Sequence, residues 1–214
     1  MGFIISKELD QFIEDNTTPQ DEVLKALDRA THLHFMMPQM ISGTVQGKFL
    51  EMLSCMAKPE RILEIGTFTG YSTICFAKGL SENGKIITID VNEELEDTAR
   101  AYFEKAGLTN KIDFRIGNAM EIIPALDEVF DMVFIDADKI NYTNYYDLVF
   151  PKLKVGGFIL ADNVLWSGKV VEDKKDKDTQ ALIDFSMKVQ NDNRVENVML
   201  SVRDGILLAR KIKN

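Results

Sequence analysis

From Arg61 to the C-terminus the chain alternates short runs rich in Ile, Val and Phe with stretches of helical periodicity. Few architectures accommodate that alternation. The runs Arg61–Ile65, Lys85–Asp90, Lys111–Ile116, Asp131–Ile135 and Gly157–Ala161 carry mostly continuous apolar residues, as strands buried on both faces require. Helices are expected near Tyr71–Leu80, Glu93–Ala106, Ala119–Leu126 and Asn141–Leu153, so successive strands are joined by helices and run parallel. After a further helix near Thr179–Gln190, the runs Val195–Ser201 and Ile206–Lys211 flank Asp204-Gly205, a hairpin signal, so the sheet is expected to end in an antiparallel pair. The fold class is α/β, with a Rossmann-like doubly wound sheet.

The first 58 residues differ. Helical periodicity runs through Asp21–His32 and Gly47–Ala57, with Pro19 near the start of the first and Pro59 closing the second. Between them Phe35–Gly43 is apolar but broken by Pro and Gly. We read residues 1–58 as a helical cap on the α/β core at 59–214. No linker-like composition separates the two, and 214 residues suit a single domain.

Charge and composition exclude several classes. A net charge of −9 disfavours nucleic acid and anionic membrane as partners, because neutralising phosphates needs clustered Lys and Arg. No apolar span is long enough for a membrane, and Lys7-Glu8 breaks the apolar start too early for a secretory signal. Met1–Ser6 formally fits an acylation pattern, but nothing polybasic follows and one acyl chain anchors weakly. The expected location is the cytoplasm. Cys55 and Cys75 are read as buried reduced thiols, and Met36, Met37 and Met40 as core packing, with the lining of a substrate entrance as the alternative. His32 and His34 diverge on a helix and are read as structural rather than metal ligands.

Two acidic pieces follow strand-like runs: Asp136-Ala137-Asp138-Lys139 after Met132–Ile135, and Asp162-Asn163 after Gly157–Ala161. Two carboxylates and an amide carbonyl are hard oxygen donors, a set that suits Mg2+ and leaves positions open for water or substrate. Strand-end Asp also serves as a turn former or cap. A third segment, Ile62-Leu63-Glu64-Ile65-Gly66-Thr67-Phe68-Thr69-Gly70-Tyr71-Ser72, reads as a strand, a glycine turn and a helix start. Its Gly-x-x-x-Gly spacing lacks the glycine fingerprint of a nicotinamide-dependent oxidoreductase. Glu64 places a carboxylate where a phosphate-binding loop avoids one, which suits a cationic ligand. Asp90 ends the next strand, where a carboxylate can accept both ribose hydroxyl protons.

With these motifs in this order (Leu-Glu-Ile-Gly-Thr at 63–67, Asp-Ala-Asp-Lys at 136–139 with Asn141-Tyr142, Ala-Asp-Asn-Val-Leu-Trp at 161–166), the chain resembles the class I S-adenosylmethionine-dependent, divalent-cation-dependent O-methyltransferases. The caffeoyl-CoA-like branch fits best. The resemblance implies a seven-stranded sheet with its last strand antiparallel. It implies cofactor contacts from Ile41, Ser42, Glu64, Gly66, Thr67, Ser72, Asp90, Ala119 and Asp136, with adenine near Gly117–Ala119. Asp136, Asp162 and Asn163 would hold Mg2+, or Ca2+ or Mn2+ in its place, and the assembly would be a homodimer. Lys139, with Asp136, is the expected catalytic pair, the lysine taking a hydroxyl proton as general base. Trp166 and Tyr142 are candidate contacts for a hydroxylated aromatic acceptor such as a vicinal diphenol. Two other readings share the cofactor region: a tRNA hydroxyuridine O-methyltransferase with the same metal site, and a non-enzymatic adenosyl-ligand binding module.

Overall fold

The structure is a computed structural model describing residues 6–214, so most of the Met1–Ser6 acylation pattern lies outside the described residues. Two compact units are present, residues 7–118 and residues 119–214. The seven strands are ordered β3-β2-β1-β4-β5-β7-β6, and β7 is antiparallel to both its neighbours, the expected mixed sheet.

In the first unit, β1 (Arg61–Ile65), β2 (Lys85–Asp90) and β3 (Ile112–Ile116) pair in parallel. Leu63 faces Ile87 across the first pair, and four successive residues of both β1 and β2 are buried, as the apolar runs demanded. Helix α4 (Tyr71–Gly79) follows the glycine turn and is buried at every position except Lys78. It packs on α3 (Gly43–Ala57) at very short range. A Cβ on Gly47 would lie 2.5 Å from the Tyr71 ring, and one on Gly79 would lie 2.4 Å from the backbone of Ser54 and Cys55. Helix α3 turns Gln46, Gly47, Leu50 and Ser54 inward, the one-face spacing of a helix. Cys55 falls off that stripe and is exposed, correcting the expectation of two buried thiols. Cys75, on α4, is fully buried, and burial pushes its thiol well up.

Helix α2 (Glu22–His34) is capped by Asp21, whose carboxylate accepts the Leu24 N–H at 2.9 Å, and it buries Leu24, Leu27 and Thr31. The backbone then turns extended at Phe35, and Pro38–Met40 makes a single 3-10 turn. With no helical stripe to point them inward, Met36, Met37 and Met40 are exposed rather than core. Helix α1 (Lys7–Asp15) has no buried residue, although Leu9, Phe12 and Ile13 line one of its faces. Helix α5 (Glu96–Lys105) is preceded by a 3-10 turn, so the expected Glu93–Ala106 helix is shorter and jointed. Gly107 (φ 69°) ends it: its N–H reaches the Glu104 carbonyl and that of Leu108 the Phe103 carbonyl.

In the second unit, β4 (Phe130–Ile135) pairs in parallel with β5 (Leu153–Asp162), and β6 (Val195–Leu200) and β7 (Ile206–Lys211) form the expected hairpin. Helix α6 (Ala119–Ile122) is one turn long because Pro124 tightens the chain into 3-10 geometry. Helix α7 (Tyr142–Val149) buries Tyr142, Tyr145, Tyr146 and Val149. Helix α8 (Lys177–Gln190) brings Phe185 edge-on to Tyr142, with ring centroids 5.4 Å apart. Among the described residues, no helix is long and apolar enough to cross a membrane.

The two kinds of glycine predict different mutant behaviour. Gly79→Ala should destabilise by about 1–3 kcal/mol, because a backbone neighbour cannot yield as a side chain can. Gly107→Ala, with nothing within 4 Å, should cost only about 1–2 kcal/mol for its left-handed conformation. Urea titration of both variants checks the contrast, and equal losses of cooperativity and midpoint would contradict it.

Candidate active site

The glycine turn after β1 is built on buried oxygen chemistry. Gly66 (φ 99°), Phe68 (φ 49°) and Gly70 (φ 90°) all take left-handed conformations, and a Cβ on Gly70 would strike the Phe103 ring at 2.5 Å. Glu64, at the end of β1, has no exposed surface. Its carboxylate accepts hydrogen bonds from Ser72 at 2.6 Å, from Thr88 at 2.6 Å, and from Thr73. Thr88 in turn lies 2.6 Å from the Thr67 hydroxyl. Glu64 and Ser72, both expected to touch the ligand, brace the turn through these bonds. Asp90 is only partly buried. One carboxylate oxygen accepts the backbone N–H groups of Thr67 (3.1 Å) and Phe68 (2.8 Å), the other that of Asn92 (2.9 Å). A carboxylate has about four acceptor sites, so capacity remains for a ligand hydroxyl.

Other expected contacts of the first unit fall around this turn or near its partners in sequence. Ile41 and Ser42 are buried at the entry to α3. Gly117 is tied to β2 by its N–H on the Asp90 carbonyl, 2.8 Å. Helix α2 holds the turn directly: the Thr31 hydroxyl lies 3.1 Å from that of Thr69, and Phe35 meets Phe68 edge-on at 6.0 Å. His32 lies 2.8 Å from the Asp28 carboxylate one turn away, a local helix contact as expected. No Lys or Arg occurs between residues 62 and 72, so the turn favours a cationic ligand over a phosphate.

The second unit gathers the acidic pieces around one lysine. Lys139, in a 3-10 turn after β4, is buried. Its Nζ donates to Asp136 Oδ1 at 3.1 Å, Asn163 Oδ1 at 2.8 Å and Tyr142 Oη at 2.6 Å. Tyr142 donates onward to the Asp162 carbonyl at 3.0 Å. Burial, then the Asp136 and Asp162 carboxylates, hold the Tyr142 phenol well above its usual range, which keeps it a donor. Asp162 is buried, its carboxylate accepting the Asn163 N–H at 2.7 Å, and Asn163 is left-handed (φ 58°). The oxygens of Asp136 and Asn163 thus already converge on a cation, while Asp138 accepts from Tyr145 (2.6 Å) and Asn141 (2.6 Å) and shapes the turn. Among the described residues no group of three His, Cys, Asp or Glu is placed to hold a metal; the oxygen set depends on the Asn163 amide.

Trp166 is half-buried beside this cluster, its ring 5.7 Å from Lys139 Nζ and 5.9 Å from Lys169 Nζ. Tyr142 has no exposed surface, so it supports Lys139 and offers no face to an acceptor, contrary to expectation. Ala119 opens α6, buried.

A family model described as O-methyltransferase matches residues 14–212. The chain belongs to the S-adenosylmethionine-dependent O-methyltransferase family. A probable caffeoyl-CoA O-methyltransferase of Arabidopsis thaliana is 36% identical, covering 99% of this chain and 97% of its own. The O-methyltransferase of Bacillus cereus, solved with S-adenosylhomocysteine, superposes with a TM-score of 0.88 at 31% identity, covering 95% of this chain and 97% of its own. TomG from Streptomyces achromogenes, solved with S-adenosylmethionine, gives 0.87 at 29% identity over 96% of each chain. The protein is therefore an S-adenosylmethionine-dependent O-methyltransferase, with the Rossmann-like fold of that family.

Sequence reasoning did not anticipate the hydroxyl network of this O-methyltransferase. Threonines at 67, 73 and 88 look interchangeable with Val until Glu64 is seen to be buried among them. Thr88→Val, isosteric but without the hydroxyl, should destabilise by about 1–3 kcal/mol and weaken S-adenosylmethionine binding. Chemical denaturation and calorimetric titration read the two effects, and a wild-type midpoint would show that the network supports nothing.

Proposed function

We propose that the protein transfers the methyl group of S-adenosylmethionine to one hydroxyl of a vicinal diphenol-like small molecule, with a divalent cation at Asp136, Asp162 and Asn163. The observation that carries this reading is the convergence of Asp136 and Asn163 oxygens on the ammonium of Lys139, at 3.1 and 2.8 Å. An all-oxygen donor set fits Mg2+, and Ca2+ or Mn2+ in its place. When bound, such a cation supplies Lewis-acid stabilisation of negative charge on an acceptor oxygen. The names of the curated relatives point to a caffeoyl thioester, whose ring carries adjacent hydroxyls.

The chain's own groups then have distinct tasks. S-adenosylmethionine carries its methyl on a sulfonium, and the glycine turn with its acidic neighbours suits that charge. Asp90 is assigned to the ribose hydroxyls, Gly66 and Thr67 to close backbone approach, Ile41 and Ser42 to the methionine part, and the Gly117–Ala119 segment to adenine. Glu64 and Ser72 set the shape of the turn. Lys139 is assigned to take the acceptor's hydroxyl proton, and its hydrogen bond to Tyr142 fixes the direction of its Nζ. Asp136 orients Lys139. Trp166 stacks on the acceptor ring. We read residues 1–58 and 59–214 as one catalytic domain, working as a cytoplasmic homodimer without nucleic acid as a partner. The net charge of −9 and the relatives' names favour the small-molecule acceptor over RNA.

Incubation with S-adenosylmethionine, Mg2+ and a panel of vicinal diphenols should give methylation that EDTA abolishes and excess Mg2+ restores. Activity surviving complete chelation would remove the metal from the reaction, and activity on hydroxylated RNA alone would reassign the acceptor. Lys139→Ala should lower turnover by about 10²–10⁴-fold with unchanged affinity for S-adenosylmethionine. Loss of cofactor affinity in that variant would take the general-base role away from Lys139.

A further inference from the structure

The segment that leaves β5 carries an unusual density of left-handed backbone: Asn163 (φ 58°), Trp166 (φ 47°), Ser167 (φ 56°) and Gly168 (φ 84°). Only one of these is glycine. Bulky residues in that region hold their conformation only where surrounding contacts over-determine it. Within the segment, Trp166 N–H reaches the Asn163 carbonyl at 3.1 Å and Gly168 N–H the Leu165 carbonyl at 2.8 Å. The remaining restraints come from the loop joining β6 to β7. The Val164 N–H donates to the Gly205 carbonyl at 3.2 Å and the Leu165 N–H to the Asp204 carbonyl at 2.9 Å. The Asp204 carboxylate accepts the N–H of Ser167, in the middle of the strained turn. Gly205 (φ 90°) packs so closely on Leu165 that a Cβ there would lie 2.4 Å from the Leu165 Cγ.

We propose that Asp204 is a positioning residue for the acceptor side of the site, fixing through the Ser167 N–H the turn that presents Trp166. This rests on the reading of Trp166 as the acceptor-stacking residue. Two further observations support it. The buried indole N–H of Trp166 has no hydrogen-bond partner among the described residues, whereas a core tryptophan ordinarily satisfies that donor. The ring is therefore oriented by its backbone and by ring contacts, and the backbone is what Asp204 holds. Asp204 is itself a half-buried carboxylate: burial pushes its pKa up, and the Ser167 N–H is the strongest influence opposing that, followed by the charges of Lys139 and Arg203. Its hydrogen bond to the turn is to the Ser167 N–H, and orientation of the turn is the effect assigned to it.

Trp166 is the single tryptophan of the chain, so its fluorescence reports on this turn without a label. Asp204→Ala and Asp204→Asn are compared in the full-length protein by emission wavelength, acrylamide quenching, S-adenosylmethionine affinity and steady-state kinetics on the best diphenol. In Asp204→Ala the emission should shift and quenching should rise. Its acceptor kcat/KM should fall by about 10–100-fold, mostly through KM, with cofactor affinity unchanged. Asp204→Asn keeps an oxygen acceptor for the Ser167 N–H and should stay near wild type in every readout. Wild-type emission and acceptor KM in Asp204→Ala would overturn the proposal. So would parallel loss of cofactor affinity and acceptor kinetics in both variants, which marks a general structural role. If the wild-type protein methylates no diphenol, the acceptor reading fails on its own. The emission and quenching comparison then still decides whether Asp204 sets the turn.

Discussion

A carboxylate with no exposed surface is the costliest group this chain buries, and β1, β2 and α4 are arranged to answer it. An unpaired buried charge is prohibitive, so Glu64 is tolerable only with its lone pairs filled. The donors come from three hydroxyls: Ser72 and Thr73 in the first turn of α4, and Thr88 on β2. Thr88 stands directly opposite Glu64 in the parallel register of β1 and β2. A slip of one residue would bring Ile87 or Ile89 to that place and leave the charge facing hydrocarbon. The same interaction fixes strand register, the start of α4 and, through Thr67, the conformation of the glycine turn.

The second unit solves a related problem with an ammonium. Lys139 reaches Asp136, Asn163 and Tyr142 at once, and Tyr142 passes the chain of hydrogen bonds to the backbone of Asp162. Because the tyrosine stays protonated, donation runs in one direction, from lysine to phenol to carbonyl. That order holds the lysine rotamer against a long, flexible side chain's entropy. An ammonium that donates to three fixed oxygens is held in one geometry before any ligand arrives.

Much of this architecture was legible from residues alone. The inner strands β1, β2 and β4 announced themselves because two-sided burial writes continuous apolar runs, the edge strands β3 and β6 carry a weaker apolar pattern, and Asp204-Gly205 announced the hairpin. The acidic residues were legible as strand-end positions for the same reason: polar groups directly after an apolar run mark where the strand stops. What sequence did not convey was depth. Glu64 reads as an open carboxylate, yet has no exposed surface; Tyr142 reads as an aromatic face, yet is fully buried with Phe185 edge-on to it. Cys55 and Met36 read as core residues, yet the phase of α3 and the break at Pro38 turn them outward. In each case the missing information was the phase of a helix or the partner of a side chain, which local pattern carries only weakly.

Strain and site coincide in both units. In the first, left-handed backbone is concentrated at Gly66, Phe68 and Gly70; in the second, at Asn163 and Trp166–Gly168. Each strained stretch directly follows a strand end and is held by an aspartate from elsewhere in its unit, Asp90 on the Thr67 and Phe68 N–H groups and Asp204 on that of Ser167. A carboxylate suits that task because it accepts several backbone donors and is strengthened by its charge. The parallel gives Asp90 a double assignment, since the oxygens that brace the turn belong to the group proposed to meet the ribose. Asp204 is half-buried, holds the Ser167 N–H, and also lies within reach of the Lys139 and Arg203 charges. The two aspartates thus differ in their load and not in their depth: both are partly buried, and Asp90 accepts three backbone N–H groups where the Asp204 carboxylate accepts that of Ser167.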